Sequence, residues 1–145
     1  VLPDEDYIVP LGEARIVREG TDITIVTYGA MVHKSVEAAE MMETEDGVSV
    51  EVVDLRTLLP LDEDAIVESV KKTNKLLVVH EDTRTGGIAG EIAIRVSEKA
   101  FEWLDGPILR VTAIDAPVPY SGSLEDYFLP QTDDVLKAAR YLAAY

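Results

Sequence analysis

The residues with chemical potential fall into four short groups. The first is His80-Glu81, which closes an apolar run and has Asp82 and Arg84 close behind. An imidazole beside carboxylates at the end of a strand is suited to general base work, and in open α/β sheets that end is where sites are built. The alternative is a hydrogen-bonded histidine capping the sheet. The second is Gly86-Gly87-Ile88-Ala89-Gly90, between that strand and a helix. Amides exposed at a helix start can hold an anion. The spacing is not a dinucleotide fingerprint, and no Lys-Ser or Lys-Thr follows to make a P-loop. Close packing with a positive φ explains the glycines equally well. The third is Asp54-Leu55-Arg56-Thr57, which either contacts a ligand or pairs internally with its own loop amides. The fourth is Ser121 and Ser123, which lack the G-x-S-x-G elbow of a serine hydrolase. His33, the other histidine, lies on a helix next to Val32 and reads as a surface or packing residue. With no cysteine, thiol nucleophiles, disulfides and cysteine-bound zinc are excluded.

The elements that must position these groups are legible from periodicity. Residues 14–18 form a short edge-like strand. Residues 22–28 are rich in β-branched types and stop at Gly29, as a strand does. Met31, Val32, Val36, Ala39 and Met42 recur at helical spacing over 30–44, and Asp46-Gly47 ends that helix. A third strand covers 48–55. Asp62 is placed to cap a helix whose apolar face is Ala65, Ile66, Val67 and Val70, with Lys71 and Lys72 in the last turn, where cations suit the helix dipole. The acids at 62–64 and 133–134 sit at helix starts for the same reason. Lys75 to His80 is almost wholly apolar, the mark of a central parallel strand covered on both faces. A loop over 81–87 leads to a helix over 88–104, with Ile92, Val96, Ala100, Phe101 and Leu104 on one side. Strand 108–114, a Pro-rich loop and a final helix capped by Thr132 and reaching about Leu142 complete the order. This is a three-layer α/β/α domain with five strands, the first able to run antiparallel at an edge.

At 145 residues the chain is one domain's worth, and 47% hydrophobic against 28% charged residues is the balance of a globular protein. No stretch reaches the length of about 18 apolar residues that spans a bilayer. The first residues, Val1 to Asp6, lack the basic and apolar regions of a signal peptide, so the expected location is cytoplasmic. Residues 1–12, acidic with Pro3, Pro10 and Gly12, read as a linker from a missing amino-terminal domain, and 13–145 as the domain itself. The absence of an initiator Met fits a fragment or processed piece.

Five runs of sequence, taken together and in order, resemble one family. They are Thr24-Ile25-Val26-Thr27-Tyr28-Gly29-Ala30-Met31-Val32-His33, Val52-Val53-Asp54-Leu55-Arg56-Thr57-Leu58-Leu59-Pro60, Val78-Val79-His80-Glu81, Gly87 through Glu91, and Ala116-Pro117-Val118-Pro119-Tyr120. The chain is similar over its whole length to the carboxyl-terminal domain of the beta subunit of 2-oxo acid dehydrogenases of the pyruvate and branched-chain types, within the transketolase C-terminal fold family. The resemblance implies a mixed sheet of order 1-3-2-4-5 with the first strand antiparallel. It implies a parent enzyme that uses thiamine diphosphate and magnesium to decarboxylate a 2-oxo acid and pass the acyl group to lipoamide. The diphosphate-binding motif and the catalytic beta histidine belong to the half absent here. No catalytic, cofactor-binding or metal residue is therefore expected in this chain, and neither His33 nor His80 matches the catalytic motif.

What the resemblance leaves for this domain is assembly. The implied partners are an alpha subunit, a second beta subunit in an α2β2 tetramer, and the subunit-binding domain of the dihydrolipoyl acyltransferase. In pyruvate-type members the beta chain's terminal carboxylate and a nearby acid meet that basic domain. The matching positions are Tyr145 and Asp105, whose other explanation is a turn residue after a helix. Competing readings are the equivalent domain of transketolase or deoxyxylulose-phosphate synthase, and a stand-alone or regulatory small-molecule binder with His80, Gly86 and Gly87 at its pocket.

Thirteen Lys and Arg against 28 Asp and Glu give a formal charge of −15. That disfavours nucleic acid and anionic membrane as partners. The acids recur along the chain instead of clustering near its end, as a salt-adapted cytoplasm demands. Self-repulsion then destabilises the domain at low ionic strength. The melting temperature is expected to rise as salt goes from about 0.01 to about 1 M and the Debye length falls from roughly 30 to 3 Å. A melting temperature independent of salt over that range contradicts the salt-adapted reading.

Overall fold

The computed structural model describes residues 7–145; the first half of the expected linker, residues 1–6, lies outside the described residues. Residues 7–14 contain no helix or strand. The elements then run β1 (Arg15–Arg18), β2 (Ile23–Thr27), α1 (Met31–Met41), β3 (Val50–Asp54), α2 (Glu63–Thr73), β4 (Leu76–Thr83), α3 (Ala89–Ala100), β5 (Leu109–Ala113), α4 (Gly122–Phe128) and α5 (Thr132–Ala143). One sheet of order β1-β3-β2-β4-β5 holds all five strands. β1 is antiparallel to β3, and the other pairings are parallel. Both the order and the reversed first strand agree with the expectation.

β2, β3 and β4 are covered on both faces, which is why they are nearly unbroken runs of Val, Ile and Leu. Ile23, Ile25, Val50, Val52, Leu77 and Val79 face α1 and α5. Val26, Val53, Leu76 and Val78 face α2 and α3. The two cores alternate residue by residue, as the period of two requires. α1 passes into a π-helical turn over Met42–Asp46 that ends on Gly47 at φ 69°, a left-handed conformation that costs glycine least. Asp62 caps α2 as expected, accepting from the Ala65 amide at 3.1 Å, and its other oxygen takes the Ala14 amide at 2.8 Å. The cap thereby also fixes the chain entering β1.

Three expectations shift. β4 continues to Thr83, past the point where a loop was expected, through an irregularity in its pairing with β5 between Val79 and Thr83. The Pro-rich segment holds a short helix, α4, which carries no strong apolar period; Phe128 alone is buried in it. The cap of the last helix falls on Gln131 and not on Thr132, because the Gln131 backbone amide donates to the Asp134 carboxylate at 3.0 Å and closes the first turn.

The core also contains a buried carboxylate. Glu51 on β3 is fully buried. One oxygen accepts from Ser69 Oγ at 2.5 Å; the other meets Lys72 Nζ and the Gly20 amide. Thr24 Oγ1 extends this network to Ser69 at 2.7 Å and to Thr73 at 2.6 Å. β2, β3 and α2 are tied together at the amino ends of the strands. Gly20 is required there, since a Cβ on it would fall 2.2 Å from the Glu51 nitrogen. The side chain of Lys72 is 40% exposed, so the pair is not fully desolvated. Glu51→Ala is expected to destabilise by about 2–3 kcal/mol, below the roughly 3–5 kcal/mol of a wholly buried pair. Lys72→Ala should cost more, because it leaves the fully buried Glu51 carboxylate without its cation, whereas a Lys72 left alone already meets water. Urea unfolding of the two variants tests the ranking.

Candidate functional site

His80 sits near the carboxyl end of β4 and is fully buried, with both ring nitrogens lacking a hydrogen-bond partner. Its ring stacks on Tyr28, centroids 6.4 Å apart and planes 20° from parallel. Gly87 closes over it. A Cβ at Gly87 would lie 2.6 Å from His80 Cε1 and 2.5 Å from the Thr83 carbonyl oxygen. This glycine is therefore dictated by packing against the imidazole. Gly86, with φ 81°, turns the chain at the surface beside it. The structure brings His80 and Gly87 into contact, but as a packed pair and not as walls of an open cleft. Burial lowers the His80 pKa, with Arg110 acting the same way and Asp82 opposing. Burial also raises the Tyr28 pKa, helped by the charges of Asp82 and Glu81.

The other candidates are scattered. Asp54 accepts the Arg56 amide at 3.1 Å, so the pair does engage its own loop, and Arg56 takes φ 56°. The Arg56 side chain is exposed. Ser121 and Ser123 touch each other at 3.2 Å on the surface. His33 is exposed on α1. Among the described residues no group of three or more His, Asp or Glu converges on a point where a metal could sit.

Asp105 and Tyr145 are 40 positions apart in sequence, yet both line one open groove of about 720 Å³ along the outer face of α3. The path to this arrangement begins at Asn74, which ends α2 in the left-handed conformation at φ 61°. Its side chain donates to the Trp103 carbonyl at 2.7 Å, and its carbonyl accepts the Asp105 amide at 2.9 Å. The C-cap of α2 thus holds the turn that carries Asp105. Gly106 then lets α5 approach: a Cβ there would be 3.2 Å from Tyr145 Cβ and 3.3 Å from Leu142 Cδ1. Tyr145 is braced by Tyr141, hydroxyls 3.0 Å apart and rings edge to face. That bond raises the Tyr145 phenol pKa.

Apart from Ser97 the rest of the groove is apolar, with Ile94 53% and Phe101 71% exposed. Phe101 departs from its expected place in the core. Ala100 takes φ −142°, which breaks the helical phase, and Phe101 opens a 3-10 turn over Phe101–Trp103 that faces outward. Residue spacing alone placed it on the wrong side. Ile94 was missed as well, although it stands off the Ile92–Val96 stripe of its own helix.

The fold defines a three-layer α/β/α domain whose parallel sheet has one reversed strand at its edge, with an open groove on an outer helix face, away from the carboxyl ends of the strands. The model of the transketolase C-terminal domain family matches residues 12–135. The chain belongs to that family. It is 47% identical over 145 residues to the 2-oxoisovalerate dehydrogenase subunit beta of Bacillus subtilis, covering 99% of this chain and 44% of that protein. It is 48% identical over 139 residues to the pyruvate dehydrogenase E1 component subunit beta of the same organism, covering 96% of this chain and 42% of that one. Among solved structures, a split-gene transketolase described as an inactive beta4 tetramer superposes with a TM-score of 0.81 at 28% identity, over 99% of this chain and 45% of its own. The chain thus spans less than half the length of the relatives it matches.

The His80 site has a pH signature. In an unfolded chain the imidazole titrates near 6.5; in the fold its pKa is lower. The stability it contributes is full above about pH 6.5 and falls as the pH drops below that value, with a slope of at most about 1.4 kcal/mol per pH unit. Urea unfolding of the wild type and His80→Leu between about pH 7.5 and 5.5 should show a shallower pH slope in the variant. An identical slope contradicts the assignment.

Proposed function

We propose that this chain is the assembly and docking domain of the beta subunit of a 2-oxo acid dehydrogenase. The observation that carries this reading is the 47–48% identity, across almost the whole chain, to beta subunits of the branched-chain and pyruvate enzymes. The whole enzyme oxidatively decarboxylates a 2-oxo acid with thiamine diphosphate and transfers the acyl group to lipoamide. That chemistry belongs to the parts of the enzyme outside this chain. A magnesium diphosphate needs converging ligands, and among the described residues no three His, Asp or Glu side chains converge. The carboxyl end of β4 is occupied by the His80 ring under Gly87. The residues here do not fit the cofactor, and no step is assigned to them.

The partners on this reading are the alpha subunit, a second beta subunit and the basic subunit-binding domain of the acyltransferase. Asp105 and Tyr145, brought to one groove beside exposed Ile94 and Phe101, form a surface on which an acid and a tyrosine flank apolar contact area. An apolar centre with charge at the rim is the composition of protein interfaces. The charges would set orientation and speed encounter more than they add affinity.

Calorimetric titration of the chain with the subunit-binding domain of the same organism's acyltransferase is expected to show saturable binding that weakens with salt. Asp105→Lys should weaken it by about tenfold or more, equivalent to about 1.4 kcal/mol. Binding unaffected by Asp105→Lys removes that residue from the surface. The purified chain is also expected to show no thiamine-dependent turnover of a 2-oxo acid, and turnover would overturn the division of labour.

A further inference from the structure

We propose that the concavity between the start of α3 and β5 is a binding site for the phosphoryl group of a small metabolite, held by Arg84 and Arg110. The two side chains line a hollow of about 390 Å³ together with Gly90, Ala93 and Ile108. Six of the thirteen cations, Arg18, Lys71, Lys72, Arg95, Lys99 and Arg140, lie within ion-pair distance of a carboxylate. Among the described residues neither Arg84 nor Arg110 has a carboxylate oxygen within that distance, although acids outnumber bases by about two to one. Two guanidinium groups sharing one hollow repel each other, and an anion between them removes that repulsion.

The surroundings hold the pair in place without neutralising it. Arg110 Nη1 donates to the Arg84 carbonyl at 3.1 Å, which leaves the rest of its fork free. Asp115 is the acid that Arg84 influences. Its oxygens are engaged elsewhere: one accepts the Thr85 amide at 2.8 Å, the other the Thr85 hydroxyl at 2.7 Å. This clamp pins residue 85 to the end of β5 and so fixes the backbone beside Arg84. Gly90, in the first turn of α3, opens the wall: nothing lies within 4 Å of where its Cβ would be.

The chemistry selects the ligand class. A guanidinium fork matches two oxygens of a carboxylate or phosphate. A carboxylate presents one such edge and satisfies one fork, whereas a tetrahedral phosphoryl dianion presents oxygens to two forks at once. The hollow is of small-molecule size, and Ala93 and Ile108 give an apolar side on which the body of a small metabolite can rest. The glycine-rich run that suggested an anion loop is near this place, but the cations come from Arg84 and from Arg110 on β5.

Inorganic phosphate, titrated into the 145-residue chain at constant ionic strength and followed by amide and Arg Nε resonances, tests the site. Saturable shifts at Gly90, Arg84 and Arg110, with acetate binding at least about tenfold more weakly, are expected. Arg84→Gln/Arg110→Gln should abolish saturation. Gly90→Glu should do the same by placing a carboxylate in the hollow, and it has room to fold and a better helix residue than glycine. Absence of saturation in the wild type, acetate binding as well as phosphate, or saturation retained in folded Gly90→Glu would each overturn the proposal.

Discussion

Burial of β2, β3 and β4 on both faces is the constraint from which the rest of the structure follows. Where a strand is covered on two sides its side chains are withdrawn from solvent, so its polar chemistry must be placed at its ends, as with the exposed Glu81 and Asp82 of β4, or given to other elements. Both solutions occur. At the amino ends, Glu51 is buried with Ser69, Lys72 and the Gly20 amide as compensation. An uncompensated carboxylate there would not be tolerated. At the carboxyl end of β4, His80 is buried without compensation, and its neutral form is what the site accepts. The surfaces left free to meet other molecules are helix faces and the edges of the sheet.

That division explains why the groove bearing Asp105 and Tyr145 lies on the outer side of α3 and not at the strand ends. α3 uses Ile92, Val96 and Ala100 for the core. Its opposite side, at Ile94 and continued by Phe101, is left exposed. The groove and the arginine-lined hollow share Gly90, Ala93 and Ile108. The outer face of one helix therefore runs from an apolar, acid-rimmed end to a cationic end. The docking surface proposed for the dehydrogenase and the phosphoryl site are neighbours on it.

Much of the fold was legible because its signals are local. Alternation and β-branching located β2 and β3, the Asp62 cap located α2, and the apolar run to His80 marked a central strand. The strand order came with the family motifs, since crossover connections cannot be ordered from periodicity alone. The site was less legible. Asp105 and Tyr145 were chosen by resemblance, and nothing in their spacing indicated that Asn74 and Gly106 would bring them to one groove. Phe101 was assigned to the wrong face because a single dihedral change at Ala100 ends the helical phase, and hydrophobicity does not encode that change. Gly87 was open between close packing and an anion loop in the sequence, and the His80 ring fills its space. Arg110 drew no attention, because an arginine on an edge strand looks like ordinary solvated surface until Arg84 is found beside it.

The sequence by itself determined the class of fold, the two-faced core and the family, because hydrophobic period and short motifs report local backbone geometry and which faces are buried. Only the tertiary structure decided which distant residues share a surface: Asn74 with Asp105, Gly106 with Tyr145, Arg84 with Arg110. Those meetings depend on how helices cross the sheet and on where a missing Cβ lets two backbones close. These are properties of the packed arrangement, and they have no signature in the spacing of residues along the chain.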